Sequence, residues 1–206
     1  MSTNPMPHAP RTDWPQVVGE LIQARQTILP RRLVAPGPDQ EQFHAMLEAA
    51  SAAPDHGQLL PWRFVLVPEA QRAALAEVFA QALTERDALA TDEQREQARE
   101  KAFRAPRLLL LVVDAACGDS EVDLSERLLS AGAAVQNVML VATALGFGSA
   151  LTSGKALKSD TLRRALALRE PEQAVCFLSI GTVASRQPVP PRPAVADYLS
   201  TWGSHP

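Results

Sequence analysis

The chain has 206 residues, 46% hydrophobic and 21% charged, with a net charge of −3 and a pI of about 5.8. That balance is typical of a soluble globular protein of one-domain size, long enough to bury a sizeable core. It excludes a strongly basic nucleic-acid binder, and no apolar run is long enough to span a bilayer, so neither nucleic acid nor a membrane is an expected partner.

Residues 1–13 (MSTNPMPHAPRTD) lack the apolar stretch of a secretory signal and read as a flexible N-terminal tail. Residues 14–206 are expected to form a single domain. Trp14–Ala24 reads as a helix with Val17, Val18, Leu21 and Ile22 on one stripe. The following RQTILPRRLVAPGP loses that periodicity and reads as an extended connection. Asp39, with Gln42 three residues on, predicts an N-cap and capping box for a helix carrying Phe43, Met46, Leu47 and Ala50 and ending before Pro54.

Trp62–Val67 (WRFVLV) reads as a buried strand. Glu69 to about Arg104 is helical by composition, and its TDEQREQAREK segment reads as a solvated helix face, with a mobile lid as the alternative. Pro106 stops it. Arg107–Asp114 (RLLLLVVD) predicts a central strand covered on both faces. Ser125–Leu145 is the longest helical pattern and is apolar nearly all round, so it is either central or buried against a second subunit. GFGSALTSG follows, then a helix capped by Ser159 (DTLRRALAL, with Leu162, Ala165, Leu166 and Arg169 on one side), and a last strand at Ala174–Val183. The proline-rich C-terminal tail carries Tyr198, Leu199 and Trp202, which suits docking. Helices outnumber strands without regular alternation, which favours an α+β fold, a sheet covered by helices.

Cys117 and Cys176 stand apart in apolar or strand-like contexts, as in a reducing, cytoplasmic setting. Each is either a reactive thiol or a small buried apolar residue, the commoner role. The histidines (His8, His44, His56, His205) lie at no metal-ligand spacing, so no metal is expected. Gly148–Lys155 (GSALTSGK) imitates a P-loop, but five residues separate its glycines and Ala156 follows the lysine.

Three polar clusters remain: Arg25-Gln26-Thr27, Asp55-His56-Gly57-Gln58 and Leu151-Thr152-Ser153-Gly154. Each sits at the end of a regular element, where backbone N–H groups are free and side chains can converge. An arginine beside a hydroxyl suits a phosphate. The alternative for each cluster is an ordinary capping turn.

Taken together and in order, these stretches resemble the nitroreductase family of flavoproteins, and within it the small YdjA-like NAD(P)H nitroreductases. Arg25-Gln26-Thr27 stands where the family has Arg-Arg-Ser after its first helix. Ala53-Pro54-Asp55-His56 with Pro61-Trp62 resembles the APDH…PW segment. Ser130-Ala131-Gly132 and Gly146-Phe147-Gly148 match the SAG…GFG helix, and Phe177–Thr182 the last strand. The resemblance implies an α+β fold with a mixed central sheet flanked by helices, working as an intertwined homodimer with FMN at the interface and NAD(P)H as reductant. It implies FMN contacts at Arg25, Gln26 and Thr27, approach of His56 to the flavin, and Leu151, Thr152 and Ser153 lining it from the partner chain. Arg192 is the candidate for the family's C-terminal phosphate-binding arginine.

The implied function is an FMN-dependent NAD(P)H oxidoreductase. It would pass hydride to nitroaromatic, quinone or enone acceptors by a ping-pong mechanism, the flavin carrying the chemistry. A dimeric flavin-binding protein with little turnover is the alternative. Gln26 replaces the signature's second arginine, and Leu151 stands where close relatives have an aromatic residue. Gln58 and Leu60 replace the wider family's Asn and Gln, so the site is expected to be unusually apolar.

Overall fold

The computed structural model describes residues 13–186, 188–189 and 191–203. In chain order the elements are α1 (Trp14–Ala24), β1 (Leu33–Val34), α2 (Gln40–Glu48), β2 (Trp62–Leu66), α3 (Arg72–Arg86), α4 (Asp92–Glu100), β3 (Arg107–Asp114), α5 (Leu124–Ala144), β4 (Gly148–Thr152), α6 (Asp160–Ala165) and β5 (Glu172–Val183). Of the expected N-terminal tail, residues 1–12 lie outside the described ones. Asp13 N-caps α1, its carboxylate accepting from the Gln16 N–H at 3.3 Å.

The sheet runs β1-β5-β3-β2, with β4 also paired to β5. Every ladder is antiparallel. Its mixed character comes from a parallel bridge between Thr27 and Ser149. The unbroken LLLLVV run of β3 is explained by burial on both faces. Leu109, Leu111 and Val113 join Phe43 and Met46 of α2 and Val135 and Val138 of α5. Leu108, Leu110 and Val112 join Leu75 and Phe79 of α3, Ala98 of α4 and Leu162 of α6. Alternate side chains point to opposite faces, so one strand serves two cores.

Asp39 forms the expected capping box with Gln42. The long helical stretch after Glu69 divides at residues 87–91. Thr91 accepts from the Gln94 N–H while Gln94 Oε1 accepts from the Thr91 N–H, and this second capping box starts α4 afresh. β2 lies at the sheet edge, bonded to β3 alone and half exposed, so the expectation of a buried strand is corrected. The segment GSALT, given no regular structure from sequence, is strand β4. Gly148 lets Ile28, Leu33 and Val183 close over it, since a Cβ there would come within 3.0 Å of each. Helix α6 stops at Ala165, short of the expected nine residues. Ala167 turns left-handed (φ +48°), and Arg169 departs toward the sheet instead of extending an apolar face.

That departure completes a charge network. Glu172, 1% exposed, accepts from Arg63 Nε and Nη2 at 2.7 and 3.0 Å and from Arg169 Nη2 at 2.9 Å. Arg169 also reaches Asp114 at 3.0 Å. Hydrogen bonds from Arg63 first, then from Arg169, hold the Glu172 carboxyl down at about 2. Nearby, buried Arg127 donates to the carbonyls of Val122, Cys117 and Asp119, fixing the loop before α5.

Among the described residues no helix is long and apolar enough to cross a membrane, and no cluster of His, Cys, Asp and Glu is able to hold a metal.

Candidate active site

Helix α1 ends at Arg25, whose backbone N–H bonds the Leu21 carbonyl before the chain turns extended. Thr27 then bridges Ser149, and the Ile28 N–H donates to the Ser149 carbonyl at 3.0 Å. This seam runs along the outer edge of β4, the strand that carries Leu151 and Thr152 and delivers Ser153. The first and third polar clusters are therefore neighbours in one chain. From the C-terminal tail, Arg192 Nη2 donates to the Arg25 carbonyl at 3.0 Å.

The side chains of Arg25, Gln26, Thr27, Thr152 and Ser153 have no hydrogen bond or ion pair among the described residues. Among the described residues the Ser149 hydroxyl is buried without a hydrogen-bond partner. Two guanidiniums and several hydroxyls are thus gathered with bonding capacity to spare, a donor set suited to a phosphate with a hydroxylated chain.

Beyond Thr152 the same edge opens into a cavity of about 510 Å³. Pro30, Thr152, Ser153 and Gly154 form one side, and Gln94, Gln97, Ala98 and Lys101 the other. Phe79, Leu108 and Phe177 supply apolar surface, and Arg86, Arg104 and Lys155 add charge. With Lys101 that makes four cations against the single carboxylate of Asp87, and none of the four is ion-paired among the described residues. The volume suits a fused aromatic ring system, and the charge suits an anionic one.

Sequence reasoning missed this wall. It read TDEQREQAREK as a solvated helix face, with a mobile lid as the alternative, whereas Gln94, Gln97, Ala98 and Lys101 recur at helical spacing and line the cavity. Arg99 bridges α4 to α3, pairing with Glu77 there as well as with Glu96 on its own helix.

His56 stands elsewhere. It lies on a short turn, His56–Gln58, with Gly57 and Gln58 in the left-handed region (φ +68° and +53°). Its Nδ1 is 2.6 Å from Glu126 Oε2 in the first turn of α5. The hydrogen bond to Glu126 raises the imidazole above its ordinary value, and the charges of Glu126, Asp119 and Asp55 add to this. The Leu60 N–H closes the turn onto Asp55 Oδ2 at 2.7 Å, and Trp62 Nε1 donates to Ser130 Oγ at 2.9 Å.

Trp62 pairs with Val113, whereas Thr152 pairs with Phe177, which faces Leu110. That is an offset of about 10 Å along β3, and β5 and β3 lie between β4 and β2, which adds about 14 Å across the sheet. One chain therefore does not unite His56 with the other clusters.

A helix-covered antiparallel sheet with an open, cation-lined cavity at one strand edge defines a small α+β protein. Residues 22–182 match the nitroreductase family profile. The chain is 36% identical over 152 residues to the Escherichia coli K12 protein named "Putative NAD(P)H nitroreductase YdjA", covering 73% of this chain and 81% of that one. The chain belongs to the nitroreductase family. Two solved structures share the fold. A nitroreductase-like family protein from Bacillus cereus superposes with a TM-score of 0.77 at 18% identity, over 91% of this chain and 96% of its own. A variant of the FMN- and NADPH-dependent nitroreductase NfnB from Sphigopyxis sp. strain HMH gives 0.71 at 20% identity, over 90% and 98%.

Proposed function

We propose that the protein is an FMN-dependent NAD(P)H oxidoreductase acting on small electron-poor acceptors, nitroaromatics, quinones or enones. The cation-lined cavity walled by Thr152 and Ser153, on the strand whose Ser149 bridges Thr27, carries this reading. It is supported by the printed names of YdjA and of NfnB. When bound, FMN supplies hydride transfer from nicotinamide to acceptor.

The residues supply binding and field. Arg25 and Arg192 hold the phosphate, with Thr27 donating its hydroxyl. Gln26, a neutral donor, stands where a second charge would otherwise lie. Thr152 and Ser153 line the ring. Lys101 and Arg104 make the cavity positive, which favours a ring that gains negative charge on reduction. Apolar Leu151, 40% exposed on β4, leaves room for the acceptor.

The working unit in this reading is a homodimer. Helix α1 buries none of its residues and leaves Trp14, Val17, Val18 and Ile22 open. Helix α5 exposes Leu128, Leu129 and Gly132, and a Cβ at Gly132 would meet nothing. A two-fold contact across α5, with the helices antiparallel, sets the N-terminal end of one against the C-terminal end of the other. With 21 residues, α5 spans about 31 Å, enough to join the His56 end of one chain to the β4 edge of its partner. The partner's copy of the turn at His56 then completes the pocket.

A visible spectrum under argon tests the reading. Yellow protein bleached by NADPH or NADH is the expected result. A colourless preparation that FMN does not reconstitute overturns it, and a yellow one that neither nicotinamide bleaches leaves only a flavin-binding protein.

A further inference from the structure

The His56–Glu126 pair is a tightly made polar contact for which flavin binding provides no use. A carboxylate only accepts, so at 2.6 Å the Nδ1 of His56 carries the proton and Glu126 Oε2 receives it. The tautomer and ring orientation are thereby set, and Nε2 is left pointing away from Glu126. The side chain remains 66% exposed and that of Glu126 43%, so Nε2 is open to a ligand.

The turn that presents the ring is unusually constrained. Gly57, Gln58 and Leu60 all have positive φ (+68°, +53° and +47°), a conformation that is unfavourable for Gln and Leu. It is held by the Leu60–Asp55 bond and anchored to α5 through Trp62 and Ser130. Strain of this sort persists where surrounding contacts over-determine it, and it clusters at functional sites. The charged groups that act on His56 are Glu126 on α5, Asp119 in the preceding loop and Asp55 on the same turn, all acidic.

We propose that His56, held by Glu126, is the proton donor to the acceptor in the second half-reaction, and that Glu126 is its positioning residue. This rests on the flavin reading and on the dimer that brings the turn to the partner's pocket. Bound and reduced FMN would supply the acceptor with a hydride, that is, a proton with two electrons. Negative charge builds on the acceptor's oxygen, and the imidazolium Nε2–H gives its proton there. The Nε2–H bond breaks as the O–H bond forms, leaving neutral imidazole with Nδ1–H still bonded to Glu126. Solvent then returns the proton to Nε2. The hydrogen bond to Glu126 and the acidic surroundings favour the imidazolium over the neutral ring, the form a general acid needs.

The test uses the full-length flavoprotein with His56→Gln and Glu126→Gln. Enzyme reduced under argon is mixed with a quinone or nitroaromatic, and flavin reoxidation is followed across pH. His56→Gln is expected to slow reoxidation about 100-fold and abolish its pH inflection, in the range of lost general-acid catalysis. Its reduction by NAD(P)H, which needs no proton donor to the acceptor, should slow far less than its reoxidation. Glu126→Gln should move the inflection to lower pH. Proton NMR of the His56 ring should show the same downward move without turnover. Wild-type reoxidation kinetics in His56→Gln, or an unmoved His56 titration in Glu126→Gln, overturns the proposal while leaving the flavin reading intact. Failure of the wild type to bind FMN removes the reading itself.

Discussion

Thr27 and Ser149 face each other across a parallel bridge, and that contact converts two separate polar stretches into one surface. Strand β4, which carries Ser149, runs on through Thr152 and Ser153 into a cavity whose far wall is helix α4. Among the described residues the Arg25 side chain has no hydrogen bond or ion pair, so its donors are available to a ligand.

Replacement of Arg25 by Ala should therefore weaken FMN binding with little effect on folding. A charge-assisted hydrogen bond of about 1.5–3 kcal/mol is removed, or roughly 10- to 100-fold in Kd. Fluorescence titration of the apoprotein with FMN measures it. An unchanged Kd would mean that Arg25 does not touch the phosphate.

The exposed α5 face leads to a second expectation. Leu129 is 74% exposed and adjoins the open Gly132. Leu129→Glu leaves the isolated chain's core untouched but sets two carboxylates against an apolar two-fold contact. Analytical ultracentrifugation should show monomer, and bound flavin should fall with it. A variant that sediments as a dimer and retains its flavin would place the contact elsewhere.

The Glu172 network predicts a pH dependence of stability. Its folded value of about 2 lies below the ordinary carboxyl value, so the stabilisation is complete above that ordinary value. It is lost as pH falls from about 4.5 toward 2, and amounts to about 3 kcal/mol. Glu172→Gln keeps the shape and removes the charge. The variant should melt several degrees lower at pH 7 and show a flatter loss of stability in acid. Parallel acid-melting curves for variant and wild type would show that Glu172 is not the group responsible.

Much of the fold could be read locally. The Asp39–Gln42 box, the Pro106 stop and the apolar run of β3 each declare themselves within a few residues, because capping and strand burial act over that range. The seam at β4 was not legible. GSALT is short and glycine-led, and it is a strand only because β5 lies alongside it. The cavity wall was hidden for another reason. Gln94 and Lys101 are ordinary surface residues until α3 and β5 fold beneath them. The His56–Glu126 pair joins positions on separate elements, so no local pattern announces it.

The sequence by itself determined the helices, the central strand and the family, since those depend on periodicity, capping and ordered motifs. Only the tertiary structure decided which polar groups meet. It put Thr27 beside Ser149, turned one face of α4 into a cavity wall and set the His56 turn at β2, across the sheet from β4. Strand register governs all three, and register comes from side chains packing across the whole sheet, which no short stretch of chain encodes.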